Sequence, residues 1–360
     1  MKSPTRPWFR AAGHSALAVL LIAMLVPMSG CSSIAVFLGW RIRLDSLPVT
    51  AVSASLVDAR KGAAVNALAP GQSAQLVIVA TTQDGKQYPT VGAGKGKVAF
   101  DNYTITATTV ATTQKGKISL AADPRTTEGK VAHVHIVPTA HPDVVADLDI
   151  PIRYDAPFVA NFSGADGAQG LDGMDGLDGN AGSDGSPGAV DPTTGIQGPQ
   201  GPGGRGSDGG KGQDGSDGQD GAAGVALHVW VRLLLVDPSQ RLLQVKVDSG
   251  KRQAFYLVDP NGGTLKVLDN GGAGGSGGRG GRGGQGGTGG TGDPPGSSGL
   301  DGQSGWDGHP GAGGAAGTIA ISVDPAAQSF MSCITWINRS GSGRDGPPAS
   351  VKVEPVGPLW

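Results

Sequence analysis

The sequence predicts an all-β protein in which a β-sandwich is followed by a small antiparallel sheet that carries extended, glycine-rich legs. Three observations support this fold class. Short β-branched runs alternate with turn residues in the first half of the chain, glycine recurs at every third position in two later blocks, and amphipathic strands lie between and after those blocks. Glycine supplies 64 of the 360 residues, and 46 of these fall in the two blocks. The blocks can therefore bury almost no side chains.

The N-terminus has the layout of a secretory signal peptide, which we assign to residues 1–30. Lys2, Arg6 and Arg10 precede an apolar run of about twelve residues, which is shorter than the roughly 20 residues that a membrane-spanning helix needs. A retained membrane anchor is the alternative interpretation. The sequence Met28-Ser29-Gly30-Cys31 resembles a bacterial lipobox, and this resemblance implies that Cys31 is lipidated and becomes the mature N-terminus.

A lipid at Cys31 has consequences for cysteine pairing and for location. Cys333 is the other of the two cysteines, so it would have no partner within the chain and the fold would contain no disulfide. Two or three acyl chains hold a protein durably at a membrane. Similarity to lipoproteins with Ser32 after the cysteine implies the bacterial cell envelope, with the outer membrane favoured. Residues 31–46 would tether the first domain to this anchor.

Residues 47–156 are predicted to form a seven-stranded β-sandwich. The predicted strands are Val49–Leu56, Gln75–Thr81, Lys97–Phe100, Thr104–Val110, Lys117–Ala121, Val131–Val137 and Val145–Ile152. The stretch Ala69–Val79, which begins Ala-Pro-Gly, and the turn Asp84-Gly85 resemble the opening of bacterial Ig-like domains. The resemblance implies an Ig-like sandwich of about a hundred residues.

Three histidines of this domain are candidate metal ligands. His133 and His135 are two residues apart on a predicted strand and therefore share one face, and His141 follows the next turn. Imidazoles at that spacing can ligate a transition metal. Apolar residues occupy the alternating positions, however, so ordinary amphipathic alternation also explains the pair, and we interpret the histidines as part of a solvated face.

Glycine keeps a period of three in both blocks. In the first, residues 157–224, the period runs from Gly164 through Gly188 and from Gly203 through Gly224. The second, residues 271–317, opens with Gly-Gly-Xaa units and returns to single-glycine triplets. Three residues per turn is the period of polyproline II, in which such spacing lines glycine along one edge. Turn sequences interrupt each block, so each is predicted to be a hairpin of two legs, roughly 65 to 90 Å long at about 3.1 Å per residue.

These triplets resemble the collagen-like, glycine-rich proteins of bacteria. The resemblance leaves two arrangements open, which are a bundle of legs from one chain and a collagen-type trimer. Residues 164–224 contain four prolines, far fewer than collagen requires, and this favours the bundle. A disordered linker is the third alternative, although the strict register argues against it. Because glycine is costly to order, the bundle requires dense sideways hydrogen bonding between its legs.

Residues 225–270 are predicted to form an antiparallel sheet that holds the ends of the legs. Its predicted strands are Val225–Val236, Leu242–Val247, Gln253–Val258 and Thr264–Leu268, and residues 318–339 add a closing strand, Thr318–Val323, and a tail strand, Ile334–Ile337. Residues 340–360 are interpreted as a Pro/Gly-rich tail. The predicted core residues are Leu227, Val229, Val231, Leu243, Val245, Val247, Ile319, Ile321 and Val323.

Aspartates of the first glycine block are candidate calcium ligands. An aspartate precedes glycine in many triplets, which aligns carboxylates along one edge of a leg, and calcium prefers oxygen ligands. The candidates are Asp172, Asp175, Asp178, Asp184, Asp214, Asp217 and Asp220. A solvated acidic face is the alternative interpretation.

The sequence indicates a non-enzymatic protein. It contains no nucleophile elbow, phosphate-binding loop or paired-histidine zinc helix, and 28 basic against 30 acidic residues give no basic field for nucleic acid. We therefore expect no catalytic residue and no nucleic-acid partner, and no cofactor other than calcium. The expected function is a structural or adhesive role in the envelope. The expected partners are the membrane, through the lipid, and further copies of the chain or an extracellular ligand. A calcium- or glycan-binding surface module is the alternative, and an unrecognised hydrolase is the third hypothesis.

Overall fold

A computed structural model describes residues 41–113, 115–236 and 240–360. The predicted signal peptide and Cys31 lie outside these residues. The chain divides into two compact units, Met1–Arg153 and Tyr154–Trp360. Within the described ranges the fold consists of strands, extended segments and short 3₁₀ helices, so the predicted all-β class is confirmed. No helix in those ranges is long and apolar enough to span a bilayer.

The described part of the first unit contains nine strands in two antiparallel sheets. The strands are β1 (Val49–Val57), β2 (Ala64–Val65), β3 (Ser73–Thr82), β4 (Gln87–Pro89), β5 (Tyr103–Thr108), β6 (Val110–Thr112), β7 (Lys117–Leu120), β8 (Ala132–Pro138) and β9 (Ala146–Ile150). One sheet has the order β2-β1-β3-β7-β6, with β4 also paired to β3, and the other has the order β5-β8-β9. Short 3₁₀ helices lie at Leu44–Ser46, Gly92–Gly94, Phe100–Asn102 and Pro124–Thr126.

Both sheets bury apolar side chains in one core. Ile78 of β3 and Val134 of β8 are fully buried members of the same cluster, so the predicted β-sandwich is observed, while its Ig-like character stays a prediction. The predicted strand Lys97–Phe100 is wrong. This segment makes only single bridges, from Val98 to Ile42 and to Thr90, before a 3₁₀ turn begins at Phe100.

The described residues of the second unit contain eight strands in two sheets. The strands are β10 (Pro157–Asn161), β11 (Ala226–Leu235), β12 (Arg241–Asp248), β13 (Gln253–Val258), β14 (Thr264–Leu268), β15 (Thr318–Val323), β16 (Ile334–Ile337) and β17 (Ser350–Val353), and a 3₁₀ helix spans Pro325–Cys333. A mixed sheet has the order β13-β12-β11-β15-β17, and a parallel sheet has the order β10-β14-β16. All nine predicted core residues are buried, with at most 3% of their surface exposed.

Four extended legs connect these two sheets. Leg 1 (residues 164–188) follows β10 and leg 3 (residues 271–292) follows β14, and these two strands are parallel neighbours. Leg 2 (residues 198–224) leads into β11 and leg 4 (residues 296–317) leads into β15, which are also parallel neighbours. Legs that run in the same direction therefore start or end on adjacent strands. The pairing register of those strands sets how the two legs are aligned with each other.

Two predictions about this region are wrong. The strands do not form one antiparallel sheet, because β14 leaves its sequence neighbour β13 and lies between β10 and β16. That position is the one from which leg 3 can run beside leg 1. Residues 340–360 are also more than a tail, since β17 extends the mixed sheet by pairing in parallel with β15.

Candidate functional site

The four legs form a bundle that is held together by sideways backbone hydrogen bonds of 2.7–3.0 Å. Glycine amides of leg 1 donate to carbonyls of leg 3, as from Gly173 N to Arg279 O, and glycine amides of leg 2 donate to leg 4, as from Gly215 N to Trp306 O. Antiparallel bonds also join leg 2 to leg 1, leg 3 to leg 2 and leg 4 to leg 3. Each series recurs every third residue, which is why the triplet register is kept.

Leg 3 lies against all three other legs, and its sequence of Gly-Gly-Xaa units explains how. The second glycine of each unit is buried, while the third residue, such as Arg279, is exposed. A Cβ atom on Gly278 would lie 1.9 Å from the Leu171 carbonyl oxygen of leg 1, and one on Gly277 would lie 2.0 Å from the Gly308 oxygen of leg 4. Backbone contacts this close exclude any side chain. The legs of one chain therefore pack as the bundle predicted from the triplets.

Aspartates of legs 1, 2 and 4 add a second set of bonds to the bundle. Each accepts, at its Oδ1 atom, a hydrogen bond of 2.6–2.9 Å from a backbone amide of a neighbouring leg. The aspartates are Asp166, Asp172, Asp175, Asp178, Asp184, Asp208, Asp214, Asp217, Asp220, Asp301 and Asp307. They satisfy amides that the backbone ladder leaves without a carbonyl partner. At Asp184 the side chain and amide of Thr291 both donate, and they hold the pKa of that carboxyl below its usual value.

All seven predicted calcium ligands belong to this set, and the structure does not gather them into one site. Successive aspartates of one leg are a triplet or more apart, about 9 Å at polyproline II rise, whereas the oxygens around one calcium ion lie within about 2.6 Å of the metal. Among the described residues, no three leg carboxylates form a group able to hold an ion. The calcium site stays a prediction, and the amide bonds give the aspartate rows a structural role.

Large apolar side chains of the legs are exposed to solvent. Leu171, Met174 and Leu177 of leg 1 are 66–84% exposed, and Leu300 and Trp306 of leg 4 are 68% and 77% exposed. Leg 2 lies between them, since Ser216 N donates to Leu171 O while the adjacent Gly215 N donates to Trp306 O. Leu177 and Leu300 are likewise level with each other, through the amides of residues 210 and 209. Two apolar pairs, Leu171 with Trp306 and Leu177 with Leu300, therefore lie on either side of leg 2 and are two triplets apart along it.

In the first unit, β8 and β9 place two histidines opposite two aspartates on the solvated face. The antiparallel register pairs His133 with Asp149 and His135 with Asp147. His133 Nδ1 lies 2.7 Å from Asp149 Oδ1, and a single oxygen, Asp147 Oδ1, lies 3.1 Å from His133 Nε2 and 2.7 Å from His135 Nδ1. The bond with Asp149 holds the pKa of His133 above its usual value, and the bond with His135 lowers the pKa of Asp147. His141 lies elsewhere, with its Nε2 atom 3.0 Å from the Leu44 carbonyl oxygen.

The two aspartates were missed by the sequence analysis. Residues 146–150 alternate in the same way as residues 132–136, and this alternation was the available signal. An antiparallel pairing of the two segments would have put acidic residues opposite the histidines.

In the mixed sheet, the structure brings a serine, a histidine and a glutamate together. His228 Nε2 lies 3.0 Å from Ser322 Oγ, and Ser322 Oγ donates to Glu354 Oε1 at 2.7 Å. The hydroxyl hydrogen is thus directed to Glu354, so His228 Nε2 must donate to Ser322 and cannot act as its base. Ser322 is also only 4% exposed. His228 stacks on Trp230 with 3.8 Å between ring centroids. The group packs one face of the sheet and lacks the geometry of a hydrolase triad.

A buried carboxyl group lies where the legs join the sheets. Asp269 is fully buried; its Oδ1 atom accepts a 2.8 Å bond from Val225 N, and its Oδ2 atom has no hydrogen-bond partner among the described residues. A Cβ atom on Gly317 would lie 1.8 Å from Oδ2. Burial raises the pKa of Asp269 above its usual value. This carboxyl therefore costs stability when it is ionised.

Comparison with known protein families, with curated proteins and with solved structures finds no match to this chain.

Proposed function

We propose that this chain is a non-enzymatic, lipid-anchored protein of the bacterial cell envelope, with an adhesive role, in which the glycine bundle is a rigid element that presents side chains to a partner. The observation that carries the proposal is the direction of the leg residues. Leg glycines face neighbouring backbones, as at Gly278, while the large apolar residues of the legs are exposed. A bundle that needs no apolar core can present its entire outer surface.

Rigidity supports the display role. Over most of its length every leg is bonded to at least two others in each triplet, so bending one leg would break bonds along its neighbours. Leg 3, with 22 residues, extends roughly 65 Å at polyproline II rise. A lipid at Cys31 would hold the chain at the membrane.

The exposed apolar residues support adhesion over a spacer role alone. Leu177 is 84% and Trp306 is 77% exposed, and both belong to the two apolar pairs that flank leg 2. Large apolar side chains that an ordered backbone holds in solvent are available to an interaction partner. Aromatic residues in particular contribute strongly to binding when a partner covers them.

The anchor and the adhesive surface are tested by separate variants. Cys31→Ser is expected to move the chain from the membrane fraction to the soluble fraction; a variant that stays in the membrane fraction would contradict the lipid anchor. For adhesion, cells producing the Leu177→Glu/Trp306→Glu variant are compared with cells producing Ser298→Glu/Gln303→Glu, which adds the same charge at exposed polar positions of leg 4.

The apolar variant is expected to lose attachment to other cells and to a polystyrene surface, while the polar control keeps it. Equal attachment by both variants, at equal surface abundance, would overturn the adhesive role. Because abundance is measured in parallel, a loss of attachment caused by a folding defect is recognised as such.

A further inference from the structure

We infer that His133, His135 and Asp147 form a binding site for a transition-metal ion such as Zn²⁺, with Asp149 as a positioning residue. The three ligand atoms lie within 4.8 Å of one another. They come from two strands paired in fixed register, His133 opposite Asp149 and His135 opposite Asp147, so the backbone sets the spacing of the ligands before any ion binds.

The hydrogen-bond pattern calls for a cation between the side chains. Asp149 can only accept, so the hydrogen of a neutral His133 ring lies on Nδ1 and its Nε2 atom carries a lone pair. That lone pair lies 3.1 Å from Asp147 Oδ1, which is also an acceptor. Two acceptors at this distance repel each other unless a proton on Nε2 or a metal ion lies between them. A metal ion bound by His133 Nε2, His135 Nδ1 and Asp147 Oδ1 removes the repulsion.

The distances are compatible with such an ion. With metal–ligand bonds of about 2.0–2.2 Å, tetrahedral ligands are about 3.4 Å apart. The oxygen of Asp147 is 3.1 Å and 2.7 Å from the two nitrogens, so these two distances need to lengthen by less than about 1 Å. His133, His135 and Asp147 have side chains that are 39%, 41% and 52% exposed, and exposed side chains can make this movement by rotation.

Asp149 supplies the outer support that metal-bound histidines commonly have. Its Oδ1 atom lies 2.7 Å from His133 Nδ1, which fixes the tautomer and directs Nε2 toward the ion. Two imidazole nitrogens and one carboxylate oxygen suit Zn²⁺, Co²⁺ or Ni²⁺ and disfavour Ca²⁺ and Mg²⁺, which prefer all-oxygen ligands. Three protein ligands on an exposed face leave a fourth position for water or for a ligand atom of a partner.

The site is tested by titrating ZnCl₂ into the full-length chain, purified in detergent without a polyhistidine tag and treated with a chelator beforehand. Calorimetry is expected to give one Zn²⁺ per chain, and Co²⁺ is expected to give the visible absorption bands of a four-coordinate site. CaCl₂ at the same concentrations is expected to give no signal. His309→Ala is the matched control, because His309 is an exposed histidine that belongs to the second unit, whereas the cluster belongs to the first.

The variants assign the ligands. His135→Ala and Asp147→Asn are each expected to weaken Zn²⁺ binding by more than about tenfold, Asp149→Asn by about tenfold as an outer-shell residue, and His309→Ala is expected to leave binding unchanged. Circular dichroism of each variant checks the fold. Absence of Zn²⁺ binding by the folded wild-type chain would overturn the inference. A proton on His133 Nε2 would then account for the short distance to Asp147. Binding that survives in the His133→Ala/His135→Ala variant would overturn it as well.

Discussion

Adding one methyl group to a leg glycine tests whether backbone contact replaces an apolar core. Gly209 and Gly210 are adjacent in leg 2 but differ in what a Cβ atom would meet. On Gly209 it would lie 2.1 Å from the Gly284 oxygen of leg 3, whereas on Gly210 the nearest atom is Leu177 N at 3.0 Å. The register position of Gly210 is occupied by side chains in neighbouring triplets, such as Gln213. Gly210→Ala is therefore a matched control for Gly209→Ala.

The size of the effect follows from the distances. An ordinary carbon–oxygen contact is about 3.4 Å, so legs 2 and 3 must separate locally by about 1.3 Å in Gly209→Ala. The adjoining bonds between these legs are 2.8–2.9 Å long, from Gly281, Gly284 and Gly287, and such a movement takes them beyond hydrogen-bonding distance. Three lost bonds at about 1 kcal/mol each lower the free energy of unfolding by about 3 kcal/mol. For a unit of this size, that is a fall in Tm of about 6–12 °C.

Differential scanning calorimetry of the full chain measures this difference. Gly209→Ala is expected to lower the Tm of the second unit by about 6–12 °C. Gly210→Ala is expected to change the free energy of unfolding by less than about 1 kcal/mol, because alanine also reduces the entropy of the unfolded chain. Equal transition temperatures for the two variants would refute the close approach of the legs. A large loss in Gly210→Ala with none in Gly209→Ala would refute the register.

Three further predictions concern the carboxyl groups of the second unit. Asp178→Ala is expected to lower Tm because the Gln285 amide loses its acceptor, while Asp178→Asn, which keeps an oxygen there, is expected to lower it less; equal losses would mean that charge and not the bond matters. The pKa of Asp184 is lowered in the folded protein, so this carboxylate stabilises the fold above its unfolded pKa of about 3.8, and the stabilisation is lost as pH falls through the folded pKa. Asp184→Asn is expected to flatten this part of the curve of stability against pH. An unchanged curve would contradict the expectation. The pKa of Asp269 is raised, so the folded state binds the proton more tightly and the free energy of unfolding falls as pH rises through the folded pKa. The gain in Tm of Asp269→Asn over the wild type is therefore expected to be largest at pH 7 and to shrink below pH 4. A gain that is independent of pH would contradict the role of ionisation.

The triplet register allowed the bundle to be predicted because glycine there has a direct geometric cause. A leg edge that touches a backbone excludes a Cβ atom, as at Gly278, so the period of contact appears in the sequence as a period of glycine. The low proline content then favoured the bundle over collagen. The Gly-Gly-Xaa units of leg 3 have a geometric cause as well, since a Cβ atom on Gly278 would meet leg 1 and one on Gly277 would meet leg 4.

Strand order in the second unit was not predictable in the same way. The turn between β13 and β14 has the residues of a hairpin, Asp259 to Gly263, yet the chain crosses there to a different sheet. The reason is non-local, since β14 must lie beside β10 so that leg 3 lies beside leg 1. Local turn chemistry carries no information about that requirement.

The functional residues show the same division between local and non-local signals. The aspartate rows were visible in the sequence, but their partners are amides 92 or 107 residues away for legs 1 and 2, as for Asp178 and Gln285, and only the leg register connects them. The histidine pair was visible as well. Its carboxylate neighbours, Asp147 and Asp149, required the pairing of β8 with β9.

Residue-resolved amide hydrogen exchange on the dilute chain, confirmed as a monomer by sedimentation under the same conditions, tests the four-leg bundle most directly. Slow exchange is expected at every third residue along each leg, including Gly173, Gly215 and Gly278, whose amides donate between legs. Exchange at random-coil rates along the legs, or protection that develops only when three chains associate, would contradict a bundle formed within one chain.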